Sequence, residues 1–297
     1  PMTPIGEVVD LVYDFTAGAY VENKTYFQSV GLILEDWETG DFSRFLWGFD
    51  GSADWFIDNT NQYEGLYCAK SGPIDHSQSS ELIVQMDVAT NSTISFYRKV
   101  SSETDDYLKF YIDGAVQGQW SGEVGWGEVS YNVTAGVHQF KWAYEKDNYT
   151  TSGSDAAWVD YIIFPPLGPE VPQITVSTDT LDFENVFVGD IYTKTFTITN
   201  DGTGLLTGDI TTPDDVFTVS CEGADNTYSY EVLPGFTTEF QVAFAPLDFV
   251  TYSGDMVITH NVGGVNNQII YVTGTGINGL AIPYDQDFEE GGSWPYA

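Results

Sequence analysis

Basic side chains are what this chain most lacks. Nine Lys and Arg stand against 44 Asp and Glu, a net charge of −35 over 297 residues. A field of that sign repels phosphate backbones and anionic headgroups, so neither nucleic acid nor a membrane surface is expected as a partner. Cysteine is almost absent. Cys68 and Cys221 fall in different domains by the boundaries drawn below, and both read as small core residues rather than as a disulfide. So little cysteine in a large β-rich chain is compatible with export from a bacterium. No apolar run reaches membrane-spanning length or has the make-up of a secretory leader, so no membrane insertion is expected. The chain opens on Pro1, which we read as a processing boundary.

Histidine is equally sparse, and its placement argues against catalysis. His76, His138 and His260 are scattered, and no His-x-x-x-His pair is present to seat zinc. Asp75-His76-Ser77 are consecutive on an extended segment, so their side chains diverge, and no Gly-x-Ser-x-Gly elbow accompanies them. Cys68 lacks the local signature of a papain-like nucleophile. The run Gly202-Thr203-Gly204-Leu205-Leu206-Thr207-Gly208 has neither the Lys nor the following helix of a phosphate loop, and reads as a hairpin. Glycoside hydrolysis needs two carboxylates across a cleft, but in so acidic a chain a pair carries no information. We expect no enzyme here; any protease of a parent protein would lie outside these residues.

What the chain has in plenty is aromatic and β-branched sequence. At 42% hydrophobic and 15% aromatic it can bury a large core, and its length suggests about two domains. No segment carries a useful helical apolar period. Residues 7–15 and 19–30 read as two strands around Ala17-Gly18, too few for a domain, so 1–33 is the end of a preceding β-domain or a docking hairpin. Residues 34–166 alternate in short strands, best seen at 93–100, 107–113, 127–133, 137–144 and 157–164, and predict an all-β jelly-roll sandwich. Four prolines between Pro165 and Pro172 mark a stiff linker, 167–172. Residues 173–277 give roughly seven strands, an immunoglobulin-like count, with a hairpin turn at Asn200-Asp201-Gly202-Thr203-Gly204. In 278–297, Asp287-Phe288-Glu289-Glu290-Gly291 repeats Asp36-Trp37-Glu38-Thr39-Gly40, which we read as the truncated start of a second jelly roll.

Two candidate sites emerge. On the closing strand, alternation puts Trp158, Asp160, Ile162 and Phe164 on one face, and a carboxylate at that depth must be paired, hydrogen-bonded or metal-bound. Glu35, Asp36 and Glu38 with Asp160 would join the first and last strands through one structural calcium. The alternative is that Glu35 and Glu38 are solvated and Asp160 accepts backbone N–H bonds. The second site is a face. Tyr97 and Lys99, Lys109 and Tyr111, and Lys141 lie opposite the apolar Ile94-Phe96, Leu108-Phe110-Ile112 and Phe140-Trp142 sets, offering rings and charged donors to a sugar or peptide. The alternative is that these lysines neutralise neighbouring carboxylates.

Residues 32–164 resemble the MAM-like jelly-roll modules called cleaved-adhesin domains, found in gingipain-type peptidases and other large secreted proteins. The likeness is carried by Glu35-Asp36-Trp37-Glu38-Thr39-Gly40-Asp41-Phe42, Tyr63-Glu64-Gly65, Ala69-Lys70-Ser71-Gly72, Ile94 to Glu103, Phe110-Tyr111-Ile112-Asp113-Gly114, Trp120-Ser121-Gly122-Glu123 and Phe140-Lys141-Trp142. Residues 173–277 resemble a Hydin-type (ASH) immunoglobulin-like repeat through Leu181-Asp182-Phe183, Val188-Gly189, Asn200 to Gly204, Phe244-Ala245-Pro246 and Val272 to Gly276. The resemblance implies a secreted or cell-surface adhesin fragment with calcium-stabilised modules that bind glycan or an extracellular protein. A structural repeat of a stalk, sheath or filament, joined to neighbouring copies by strand addition, is the other expectation.

Overall fold

The computed structural model describes residues 7–17, 20–30, 32–220 and 227–279; the repeat at 287–291 and Cys221 lie outside them. Every regular element among the described residues is a strand. β1 (Glu7–Ala17) and β2 (Tyr20–Val30) pair with each other as an antiparallel hairpin.

The first domain comprises β3 (Ile33–Glu35), β4 (Gly48–Gly51), β5 (Phe56–Asp58), β6 (Cys68–Lys70), β7 (Ser79–Val88), β8 (Ser92–Ser101), β9 (Tyr107–Ile112), β10 (Ala115–Trp120), β11 (Glu123–Val133), β12 (Gly136–Glu145) and β13 (Ala156–Phe164). One sheet runs β10-β9-β12-β7-β4 and the other β11-β8-β13-β6-β5, with β3 on β13, all antiparallel. Their inner faces are the alternate apolar residues of the strands, packed around Trp142. Its ring lies 5.0 Å from Phe110, 5.4 Å from Phe96 and 5.9 Å from Trp47. Each such fully buried side chain contributes about 1.5–3 kcal/mol of hydrophobic stabilisation.

Simple alternation fails at one place on the closing strand. Against β8 the register of β13 shifts between Asp160 and Ile163, and Tyr161 takes a φ of 50°, in the left-handed region that costs a non-glycine residue about 1–2 kcal/mol. The bulge divides the face that alternation makes continuous. Trp158 and Asp160, paired with Lys99 and Tyr97, sit on the outer face, while Phe164 packs inside against Phe140 and Trp47. An outer position explains why Asp160 can be ionisable, and a loop lying over it explains why it is buried.

The second domain comprises β14 (Ile174–Val176), β15 (Thr180–Phe187), β16 (Tyr192–Asn200), β17 (Leu206–Thr211), β18 (Phe217–Ser220), β19 (Thr227–Val232), β20 (Thr237–Phe244), β21 (Thr251–Ile258) and β22 (Gln268–Ile277). Its sheets run β14-β16-β20-β18 and β15-β22-β21-β17-β19, with β15 and β22 parallel. The core holds Phe217 on Phe244 at 4.9 Å and Phe183 at 5.6 Å from Phe244. A Cβ at Gly274 would stand 2.5 Å from the Phe244 ring, so glycine is what lets the sheets close there.

The segment Asn200–Gly204 is not a hairpin turn, because β16 and β17 belong to different sheets and the chain crosses between them. Asn200, fully buried, organises the crossing. Its Nδ2 donates to Gly204 O and Val232 O, while Oδ1 accepts from Gly202 N and Gln173 N. The linker is tied down at both ends: Ala89 N donates to Pro166 O, Gly168 N to Asp87 O, and Thr203 N to Val171 O. Gln85 Nε2 donates to Gly202 O at 2.6 Å, and the Phe236 ring fills the space a side chain at Gly48 would take, so the domains touch directly.

Replacing Phe244 by Ala should destabilise the second domain by about 3–5 kcal/mol in urea unfolding; a loss below about 1 kcal/mol would show that the ring is not locked in the core.

Candidate functional site

The loop from Asn61 to Tyr67, between β5 and β6, covers the outer face of the β11-β8-β13 sheet and builds a tyrosine-lined cleft there. Asp160 holds it. Its Oδ2 accepts from Tyr63 N at 2.8 Å and Glu64 N at 3.2 Å, and Oδ1 accepts from Tyr161 N at 2.7 Å. Glu38 anchors the other end, its Oε1 accepting from Leu66 N at 2.7 Å and Tyr67 N at 3.0 Å. Lys99 Nζ donates to Asn61 Oδ1, and the Trp126 indole donates to Asn61 O.

So fixed, Tyr63 stacks on Tyr97 with ring centroids 3.5 Å apart and planes 13° from parallel. Tyr161 stands edge-on to both, at 6.5 and 6.4 Å, and Trp126 lies 6.1 Å from Tyr63. Tyr63, Glu64, Tyr97 and Tyr161 line an open cleft of about 360 Å³. The bulge at Tyr161 is what brings its ring out beside Tyr97. Hydrogen bonding to Tyr63 pushes the Tyr97 phenol up, with burial and Glu128 adding to it, so the ring is neutral at any ordinary pH. Burial raises the Glu64 carboxyl, and Asp36 and Glu38 beside it raise it further. Asp160 is pushed up to about 7 by burial, which outweighs its three backbone donors.

The carboxylates expected to share calcium do not converge on one point among the described residues; each has its own partners. Glu35 is buried; Oε1 accepts from Trp37 N and Oε2 from the Trp47 indole, and burial pushes its carboxyl up. Asp36 pairs with Arg44 at 2.8 Å. The first and last strands are joined directly, Glu35 standing opposite Ile162 in the β3–β13 ladder. The alternative of solvated carboxylates is corrected for Glu35, which is buried and taken up by N–H donors of the fold; Glu38 is exposed to solvent, as that alternative has it, while its Oε1 accepts the two loop amides.

The expected binding face is divided between the two sheets. Tyr97 and Lys99 lie on β8, whereas Lys109, Tyr111 and Lys141 lie on β9 and β12 of the opposite sheet. There the cations are spent on carboxylates. Lys109 bonds Glu145 at 2.6 Å, the Tyr111 hydroxyl donates to Glu145 at 2.5 Å, and Lys141 bonds Glu81 at 2.9 Å while lying 4.6 Å from the Tyr111 ring centre. Lys99 is held instead by the Asn61 amide oxygen and by the Trp158 ring, 4.9 Å from its Nζ. Of the five, Tyr97 lines the cleft. Pattern reading passed over Tyr63, Glu64 and Tyr161, because a loop residue has no strand parity and the bulge reverses that of Tyr161.

Among the described residues, none of the three histidines and not Cys68 lines the cleft. His76 is exposed, His138 Nδ1 bonds Asp113 at 2.7 Å, and His260 bonds Asn266 O. Cys68 is buried, its thiol pushed up by burial and by Asp160 and Asp58.

Residues 172–275 match the family model described as HYDIN/CFA65/VesB-like, Ig-like domain, so the second domain is immunoglobulin-like. No curated protein matches the chain. Among solved structures, a Porphyromonas gingivalis W83 protein of unknown function is 13% identical, over 76% of this chain and 99% of that one, at a TM-score of 0.31. The ASH/PapD-like domain 7 of human CEP192 is 10% identical, over 39% of this chain and 93% of its own, at 0.30. The CBM22-1 xylan-binding domain of Paenibacillus barcinonensis Xyn10C is 16% identical, over 46% and 94%, at 0.33. At such scores these likenesses carry no argument about ligands.

The raised Asp160 sets a pH dependence that EDTA isolates from any bound cation. The folded carboxyl keeps its proton to higher pH than the unfolded chain, so stability falls as pH rises from about 4 to about 7. The slope from this group is at most about 1.4 kcal/mol per pH unit. Asp160→Asn should flatten the urea-derived stability curve over that window relative to wild type; parallel curves would overturn the assignment.

Proposed function

We propose that this chain is a non-catalytic binding module of a secreted or cell-surface protein, an adhesin whose first domain takes a glycan in the tyrosine cleft while the second positions it. The observation that carries this is the Tyr63-Tyr97-Tyr161 cleft, held open by Asp160 and Glu38 from below. Fixed rings offer flat apolar faces to the C–H surfaces of a pyranose, and Glu64 at the rim offers a hydrogen-bond acceptor to its hydroxyls. The net charge of −35 favours a neutral glycan over an acidic one. An extracellular protein ligand presenting an apolar side chain would use the same rings. Calcium near Glu35, Asp36, Glu38 and Asp160 belongs to the same reading, supported by the repulsion that Asp36 and Glu38 exert on Glu64, which a cation would relieve.

The second reading is a structural repeat that assembles with neighbouring copies by strand addition. It draws on the hairpin, since β1 and β2 pair with each other and with no other described strand. Size-exclusion chromatography separates the two, an ordered polymer favouring the repeat and a monomer the adhesin.

On a glycan array, Tyr63→Ala and Tyr97→Ala should each lower binding at least tenfold, whereas Tyr111→Ala, on the opposite sheet, should bind as wild type. Retention by both cleft variants would sink the site.

A further inference from the structure

We propose that the exposed apolar end of the second domain, formed by Phe187, Ile191, Tyr192, Leu247, Phe249 and Val250, is the docking surface for the chain's own segment 280–284. Leu247 is 73% exposed, Ile191 70% and Phe249 61%. The six are two thirds of the nine large apolar side chains that the second domain exposes among its described residues. Two loops carry most of them, one on each side of the end of β22. On one side is the β15–β16 turn, where Val188 N donates to Ile277 O; on the other is the β20–β21 loop, where Val250 O accepts from Gly276 N. Tyr192 stands beside them, opposite Phe244 at the end of β20. Scattered apolar side chains need no explanation, but a cluster of this kind marks an interaction surface.

This end is the one opposite the first domain. β16 and β20 run the length of the sandwich as a pair, from Tyr192 and Phe244 at the apolar end to Thr199 and Thr237 at the other. Just beyond Thr199 and Thr237 lie Asn200 and Phe236. There the Phe236 ring packs on Gly48, and Gly202 O accepts from Gln85. The first domain therefore covers the end at which the chain enters the second, and the apolar cluster is at the end from which it leaves.

The occupant follows from that exit. β22 ends at Ile277, between the two loops, and a Cβ at Gly279 would stand 3.6 Å from the Phe187 ring, so the departing backbone already passes over the cluster. The residues that come next suit it. From Ile277 to Tyr284 the sequence is Ile-Asn-Gly-Leu-Ala-Ile-Pro-Tyr, eight residues without a charge in a chain of −35. Leu280, Ile282 and Tyr284 alternate, so an extended run would turn all three to one side, and Pro283 favours that conformation at Ile282. Asp285, Asp287, Glu289 and Glu290 begin only after Tyr284. The reach is sufficient: five residues beyond Gly279 span at most about 17 Å, and the distance across β15, β22 and β21 is about 10 Å. A segment seated there would leave no free hinge between the second domain and the motif at 287–291.

The test is hydrogen–deuterium exchange of the full chain, read by mass spectrometry of peptic fragments at two protein concentrations, with size-exclusion on the same samples. The variants are Leu247→Asp/Phe249→Asp and Ile191→Asp on the two loops, Leu280→Asp/Ile282→Asp on the segment, and Ile269→Asp at the opposite end of β22. In wild type the amides of residues 280–284 should exchange at least about tenfold more slowly than those of the same peptide free in solution, equally at both concentrations. The loop and segment variants should each return them to the free-peptide rate. Fragments from β16 and β20 should keep wild-type protection, which reports an intact sandwich, and Ile269→Asp should leave 280–284 as protected as before. The proposal is overturned if 280–284 exchange at the free-peptide rate in wild type or if both loop variants keep full protection. It is equally overturned if protection grows with concentration alongside a dimer, which would seat a second copy on the surface.

Discussion

Most of the first domain's surface architecture depends on one buried carboxylate. Asp160 stands on the outer face of a sheet, where a charge would ordinarily be solvated, yet it is covered by a loop that it holds through two of that loop's own amides. The arrangement is reciprocal. Burying the carboxylate costs solvation, which is why its proton is held up to about 7, and the three N–H groups it accepts would otherwise be unpaired beneath the loop. A structure that needs both partners to satisfy each other has one position for the loop, and therefore one geometry for the cleft that the loop completes.

The bulge beside Asp160 follows from the same demand. Strict alternation would send Asp160, Ile162 and Phe164 to one side, placing either a carboxylate in the core or a phenylalanine in solvent. A single left-handed residue at Tyr161 resolves the conflict. The local strain, about 1–2 kcal/mol, is small against the burial of Ile162 and Phe164. It also delivers the Tyr161 ring to the cleft, so a packing solution in the core has a direct consequence on the surface.

The two domains are coupled by similar economy of contact. Proline limits the linker's freedom, and its remaining amides and carbonyls find partners in both domains, with Asn200 fixing the crossing segment that receives it. The result positions the second sandwich against the β7–β12 end of the first and leaves the opposite tip, with its acidic loops, exposed to solvent.

The sequence by itself determined the class. Period-two alternation, turn residues and the absence of helical periodicity specified an all-β sandwich fold, and the strands at 93–100, 107–113, 137–144 and 157–164 coincide closely with β8, β9, β12 and β13. It also singled out Asp160, since a carboxylate within an apolar strand demands a partner. What it could not determine was which partner or which face. Parity says that Tyr97, Tyr111 and Lys141 point away from a core, but says nothing about which of two sheets each strand joins, so residues on opposite sides of the molecule read as one face. Only the tertiary structure decided that Lys109, Lys141 and Tyr111 are absorbed by Glu145 and Glu81, that Asn200–Gly204 crosses between sheets, and that Tyr63 lands on Tyr97. The physical reason is common to all three: pairing between strands and the draping of loops are non-local, fixed by contacts between residues far apart in the chain, whereas alternation and turn chemistry are local and can be read in order.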